Sequence, residues 1–120
     1  MAHYVDGFVV PVPKKNVGAY VRMAKKASKI FRELGALEYR ECVGEHLDVP
    51  FARPFPKGIK TKPGETVVFA YIVYKSRAHR DKVNAKVMKD PRIGELCGAK
   101  DMPFDCSRML YGGFKTIVEA

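Results

Sequence analysis

Ten consecutive residues, Thr66 to Lys75 (TVVFAYIVYK), alternate at period two and are apolar on both of the faces that the alternation creates. Val67, Phe69, Tyr71 and Val73 fall on one side, Val68, Ala70, Ile72 and Tyr74 on the other. A β-branched and aromatic run of this kind belongs in the middle of a sheet that is covered on both faces. A chain of 120 residues has room for one core and one helical layer. We therefore expect one domain spanning residues 1–120, with one sheet face that needs cover from outside the chain.

The flanking segments supply the other elements. His3 to Val12 (HYVDGFVVPV) reads as a first strand stopped at Pro13, with Asp6 interrupting its apolar face between Tyr4 and Phe8. A carboxylate there must be wet near a strand end, buried and paired, or lining a functional cavity, because an unpaired buried charge is costly. Asn16 is placed to cap a helix in which Val17, Tyr20, Val21, Ala24, Ser28 and Phe31 recur at helical spacing up to Leu34, and Gly35 can supply the left-handed stop. Ala36 to Gly44 alternates like a half-exposed edge strand, with Glu38, Arg40 and Cys42 on one side.

Between Glu45 and Glu65, Pro50, Pro54, Pro56 and Pro63 with Gly58 and Gly64 predict an irregular loop anchored by Phe51 and Phe55. Its basic residues Arg53, Lys57, Lys60 and Lys62 suit a lid or a partner-binding arm. Ser76 caps a second helix that runs to Lys89 with Ala78, Val83, Val87 and Met88 inward, and Asp90-Pro91 ends it. A short helical turn over Ile93, Leu96 and Cys97 follows. Arg108 to Val118 is the last strand, where Gly112 and Gly113 mark a bulge or a close approach by another backbone.

The order strand, helix, strand, strand, helix, strand predicts an α+β, ferredoxin-like βαββαβ fold, a four-stranded antiparallel sheet with two helices on one face. The other face carries Val67, Phe69, Tyr71 and Val73 or the alternate set, a larger apolar patch than a monomer tolerates. The predicted partner is a second copy on a two-fold axis, with a small-molecule cavity left between the sheets. RNA is the alternative, since an RNA-recognition motif has the same element order and stacks bases on third-strand aromatics. Phe69, Ala70, Tyr71 and Ile72 resemble the core of that motif, yet Val67 and Val68 stand where a basic residue and a glycine belong.

A net charge of +9 would suit an acidic partner, but two of its three clusters fall on the predicted helices rather than on the sheet. Cys42, Cys97 and Cys106 are an odd set without a close pair, expected as reduced and mostly buried thiols. His3, His46 and His79 lack ligand spacing, and no glycine loop suits a phosphate, so neither a metal nor a cofactor is predicted. With no signal-peptide pattern and no apolar span, the expected location is cytoplasmic and away from membranes.

Five motifs carry a resemblance over most of the chain: YVDGFVVPVP (Tyr4 to Pro13), ETVVF (Glu65 to Phe69), NAKVMKDPR (Asn84 to Arg92), MPFD (Met102 to Asp105) and RMLYGGF (Arg108 to Phe114). Together they resemble the uncharacterised YbaA-like family. That resemblance implies a dimeric α+β barrel and no particular activity; the basic, proline-rich loop departs from the family pattern. The polar groups out of place in a plain core are Asp6, Arg40, Asp105, Arg108 and Tyr111, with His79 behind them. A carboxylate and a tyrosine in a cavity can transfer a proton, and an arginine can fix an anionic substrate. Asp105 and Arg108 equally suit a turn cap and a structural pair, and Tyr111 suits packing. The expected function is small-molecule binding, or cofactor-independent catalysis, in the cavity of a homodimer.

Overall fold

β1 (Tyr4–Pro13) and β3 (Glu65–Tyr74) pair antiparallel along their full length, from Tyr4 opposite Tyr74 to Pro13 opposite Glu65. β2 (Glu38–Val43) adds to the outer edge of β3 and β4 (Leu110–Lys115) to that of β1, giving the order β2-β3-β1-β4. α1 (Val17–Glu33) and α3 (Arg77–Lys89) pack on one face, and two short helices, α2 (Phe55–Ile59) and α4 (Pro91–Cys97), lie in the connections. This computed structural model describes residues 2–97 and 102–120.

The register assigns the two faces. Val68, Ile72 and Tyr74 of β3 and Val10 and Val12 of β1 meet the helices, where Tyr20, Ala24 and Ile30 of α1 and Val83 and Val87 of α3 complete the core. The set Val67, Phe69, Tyr71 and Val73 points away, beside Val5 and Val9 of β1, Leu110 and Phe114 of β4 and Arg40 of β2. Phe69 is 45% exposed, and Leu110 and Phe114 are also open to solvent.

The caps follow the sequence closely. Gly35 takes φ +123° just past α1, which a side chain would resist. The Ser76 hydroxyl accepts from the His79 N–H at 3.1 Å at the start of α3. Asn16 differs: its side chain makes no capping bond, and its amide donates to the Pro103 carbonyl at 3.0 Å.

Several expectations are corrected. The proline-rich loop holds α2, because Pro56 falls in its first turn, where a missing N–H costs nothing. α2 lies against β1 and β3. Val67 is only 2% exposed, with Leu47 and Phe55 beside it, so the chain itself covers that end of the open face. Phe51 anchors nothing, being 88% exposed, and Phe55 is over half exposed. Met88 (76% exposed) and Ala78 face outward from α3. β4 carries no bulge: Gly112 pairs with Gly7 and Gly113 with Asp6 in unbroken register. Cys42 and Cys106 are exposed rather than buried, and the Cys97 side chain lies outside the described residues. No helix among the described residues is long and apolar enough to cross a membrane.

A buried carboxylate between the sheet and helix α3

Asp6 is the third residue of β1, opposite Ile72 on one side and Gly113 on the other, and its side chain projects beneath α3. It is 1% exposed. A charge so placed needs partners, and α3 brings them: Arg80, Val83, Asn84 and Val87 share one stripe of that helix at spacings of three and four residues. Arg80 Nη1 donates to Asp6 Oδ1 at 3.2 Å, and Asn84 and Tyr111 also hydrogen-bond the carboxylate. Tyr74, from β3, donates its hydroxyl proton to Asn84 Oδ1 at 3.2 Å.

The guanidinium is shared. Its Nη1 also donates to the Tyr111 hydroxyl at 2.9 Å and its Nη2 to the Tyr4 hydroxyl at 3.4 Å, while its Cζ lies 5.0 Å from the centre of the Tyr4 ring. Nε is buried 3.0 Å from Asp81 Oδ1 but lacks the alignment of a hydrogen bond. Tyr111 packs on Phe8 with ring centres 4.9 Å apart and is itself half exposed at the β4 edge. Its hydroxyl therefore links the buried carboxylate to the surface.

Burial raises the Asp6 carboxyl above its usual range, although Arg80 pulls the other way. Burial and the neighbouring carboxylate likewise raise the Tyr111 phenol, so it stays protonated and able to donate. Desolvation works against the Arg80 charge, and Asp6, Tyr111, Tyr4 and Asp81 together outweigh it and raise its pKa. One group that accepts a proton readily thus sits beside a phenol that keeps its own. An open cleft of about 520 Å³ borders this cluster at Tyr4 and Gly113 and is rimmed by His3, Arg77 and Lys115.

The candidates read from the sequence do not come together in one place. Asp6 and Tyr111 lie on the helix side of the sheet, not on the face assigned to a cavity between two sheets. Arg40 is on the open face, 5.8 Å from the Tyr71 ring centre and paired with Glu38 at 3.2 Å. Arg108 pairs with Glu65, and Asp105 caps the turn before β4 by accepting from the Ser107 N–H at 3.0 Å. His79 is half-buried; its Nδ1 accepts from the Lys75 N–H at 2.9 Å, its other nitrogen bonds the Gly35 carbonyl, and its ring packs edge-on to Tyr74. Burial and then the nearby lysines lower its pKa, so it stays neutral at physiological pH.

Arg80 is the residue that sequence reasoning missed, because it reads as one of a run of basic residues on a solvated helix. Its spacing to Val83 and Val87 is the signal that places it on the inward stripe. Among the described residues no cluster of histidine, cysteine and acidic side chains could hold a metal ion.

The strand order, with both long helices on one face, makes this a ferredoxin-like α+β protein, and solved structures share the arrangement. A dimeric ferredoxin-like protein from an uncultured marine organism matches over 100% of both chains with a TM-score of 0.58 at 11% identity. A nipsnap family protein with unknown function from Agrobacterium tumefaciens matches over 95% of this chain and 87% of its own, with a TM-score of 0.63 at 12% identity. Within that class the chain belongs to the family described as "Protein of unknown function (DUF1428)", whose profile matches residues 3–106. It is 46% identical over 118 residues to the Uncharacterized protein YbaA of Escherichia coli and of Shigella flexneri, covering 97% of each chain.

Proposed function

We propose that this protein is a homodimer, joined through the open sheet face, that binds a small anionic molecule at the Asp6–Arg80–Tyr111 cluster and can move a proton there without a cofactor. The observation that carries this reading is a carboxylate 1% exposed whose partner Arg80 bonds both the half-exposed Tyr111 and Tyr4, the latter in the wall of a basic-rimmed cleft. A buried ion pair adds little to stability compared with apolar packing, so its position beside a cleft favours a binding role. In that role Arg80 orients the anion, Asp6 accepts the proton and Tyr111 connects the two to solvent.

Two further observations support the dimer. Phe69, Leu110 and Phe114 form an apolar surface on the open face that a lone domain would leave wet. The structural relative from the marine organism is itself described as dimeric. The same face argues against base stacking. Its strands offer Arg40, already paired with Glu38, while the basic residues of α1 and α3 lie on the opposite side of the sheet.

The test is a thermal-shift screen of small carboxylates, phosphates and enolisable acids, run on wild type, Asp6→Asn and Tyr111→Phe, with native mass by light scattering. A ligand that raises the wild-type midpoint by several degrees, and raises neither variant's, supports the site. Equal stabilisation of all three proteins would sink it, and a monomeric mass would sink the dimer.

A further inference from the structure

Between α1 and α4 lies a second feature, which shares no residue with this cluster. Two adjoining clefts, of about 480 Å³ and about 340 Å³, run between α1 and α4 and share Lys26, Glu95 and Leu96, so they form one groove. The stretch of α1 along it, from Ala19 to Ile30, corresponds to about 17 Å at the rise of an α-helix. Its apolar lining comes from Met23, Ile30, Leu96 and Met102. Its rim is basic.

Arg22, Lys25, Lys26 and Lys29 are all exposed along the groove, and among the described residues none of the four has an ion-pair partner. Arg92, at the far end, is neutralised by Glu33 at 2.8 Å and Asp90 at 2.9 Å. Among the described residues, Glu95 is the acid that lines the groove beside the four remaining cations. A solvated helix face needs lysines, but it does not need an apolar trough between them.

We propose that this groove binds a single-chain anionic amphiphile, such as a medium-chain fatty carboxylate, with the chain on Met23, Leu96 and Met102 and the headgroup between Arg22 and Lys26. The dimensions favour such a ligand over a protein, since a stable protein interface takes about 800 Å² per partner and this trough is a short slot. The chemistry of the lining disfavours nucleic acid, because methionine and leucine offer no ring on which a base could stack. Methionine, flexible and polarizable, suits an alkyl chain of variable length.

The test is isothermal titration of the full chain with decanoate below its micelle-forming concentration, at moderate salt. The expected result is saturable binding of one decanoate per chain, about fivefold tighter than octanoate because two added methylenes are partly buried, and none of decyltrimethylammonium. The double charge reversal Arg22→Glu with Lys26→Glu should weaken decanoate at least tenfold while leaving the Asp6 cluster and its ligand response unchanged. Lys26→Gln, a milder change, should weaken it several-fold. Equal binding of the cationic amphiphile, no gain from octanoate to decanoate, or undiminished binding by both variants would overturn the proposal, and the first two comparisons need no variant to fold. Binding only to vesicles of anionic phospholipid, with no heat from free decanoate, would also overturn it.

Discussion

Arg108 grips Glu65 with both terminal nitrogens, Nη1 2.6 Å from Oε2 and Nη2 2.9 Å from Oε1, joining residues 43 positions apart. The same Nη2 donates to the Lys60 carbonyl at 3.1 Å, and the Lys62 N–H donates to Glu65 Oε1 at 2.7 Å. One carboxylate thus ties the segment leaving α2, the first residue of β3 and the turn that leads into β4.

The Arg108 bonds, helped by the Lys62 amide, hold the Glu65 pKa down at about 2. Because that value lies below the unfolded one, the pair's contribution is present above pH 4.5 and is lost as pH falls toward 2. Glu65→Gln should cost about 1–3 kcal/mol at neutral pH, and its stability should fall less steeply over that acid range. Urea unfolding from pH 2.5 to 7 reads both; an unchanged acid slope would assign the titration to another group.

Asp6 has the opposite sign. Its folded pKa is raised, so the stability it contributes is full below pH 3.8 and is lost as pH rises through the folded value. Ionised Asp6 is tolerated because Arg80 faces it. Asp6→Asn and Arg80→Met should each destabilise by about 3–5 kcal/mol by leaving the other group buried without its partner, and the double variant should cost less than the sum by about 1–3 kcal/mol. Strict additivity in the double-mutant cycle would mean that the two residues are not coupled.

His79 is held neutral, one nitrogen accepting from Lys75 and the other bonded to Gly35. Its folded pKa lies below the unfolded 6.5, so its stabilising contribution is full above pH 6.5 and is lost as pH falls below that value. His79→Gln should flatten the stability profile between pH 5 and 7. A wild-type profile already flat in that window would refute the neutral, doubly bonded histidine.

Gly113 meets Tyr4 closely. A Cβ there would lie 2.5 Å from the Tyr4 hydroxyl oxygen and 2.9 Å from a ring carbon, whereas at Gly112 the nearest atom, on Phe114, would be 3.6 Å away. Tyr4 is held in turn by Arg80, so it does not swing aside freely. Gly113→Ala should cost about 1–3 kcal/mol and displace the tyrosine, while Gly112→Ala should be close to neutral. Paired thermal melts decide, and equal midpoints for the two variants would contradict the contact.

Much of this arrangement is written in local pattern. Gly35 after a helical stripe, Ser76 ahead of another and Asp90-Pro91 at its end mark boundaries that depend on neighbouring residues alone. The glycines inside the last strand signalled a close approach, but by another backbone, whereas at Gly113 it is the Tyr4 side chain that comes near. Two features hid. Pro54, Pro56 and Gly58 read as breakers, although a proline in the first turn starts a helix as readily as it ends one, so α2 escaped notice. Arg80 looked like its basic neighbours until β1 was laid beneath α3, 74 positions away in sequence.

The sequence by itself determined the element order, the antiparallel sheet and a central strand with no polar face, because periodicity, caps and breakers act over a few residues. It could not choose which side of that strand meets the helices, since both sides are equally apolar, nor place Asp6 and Tyr111 under α3 and Arg40 on the open face. Tertiary structure decided those things. A one-residue change of register exchanges the faces of a strand, and only the packing of α1 and α3 against the whole sheet fixed which face was buried and which charge found its partner.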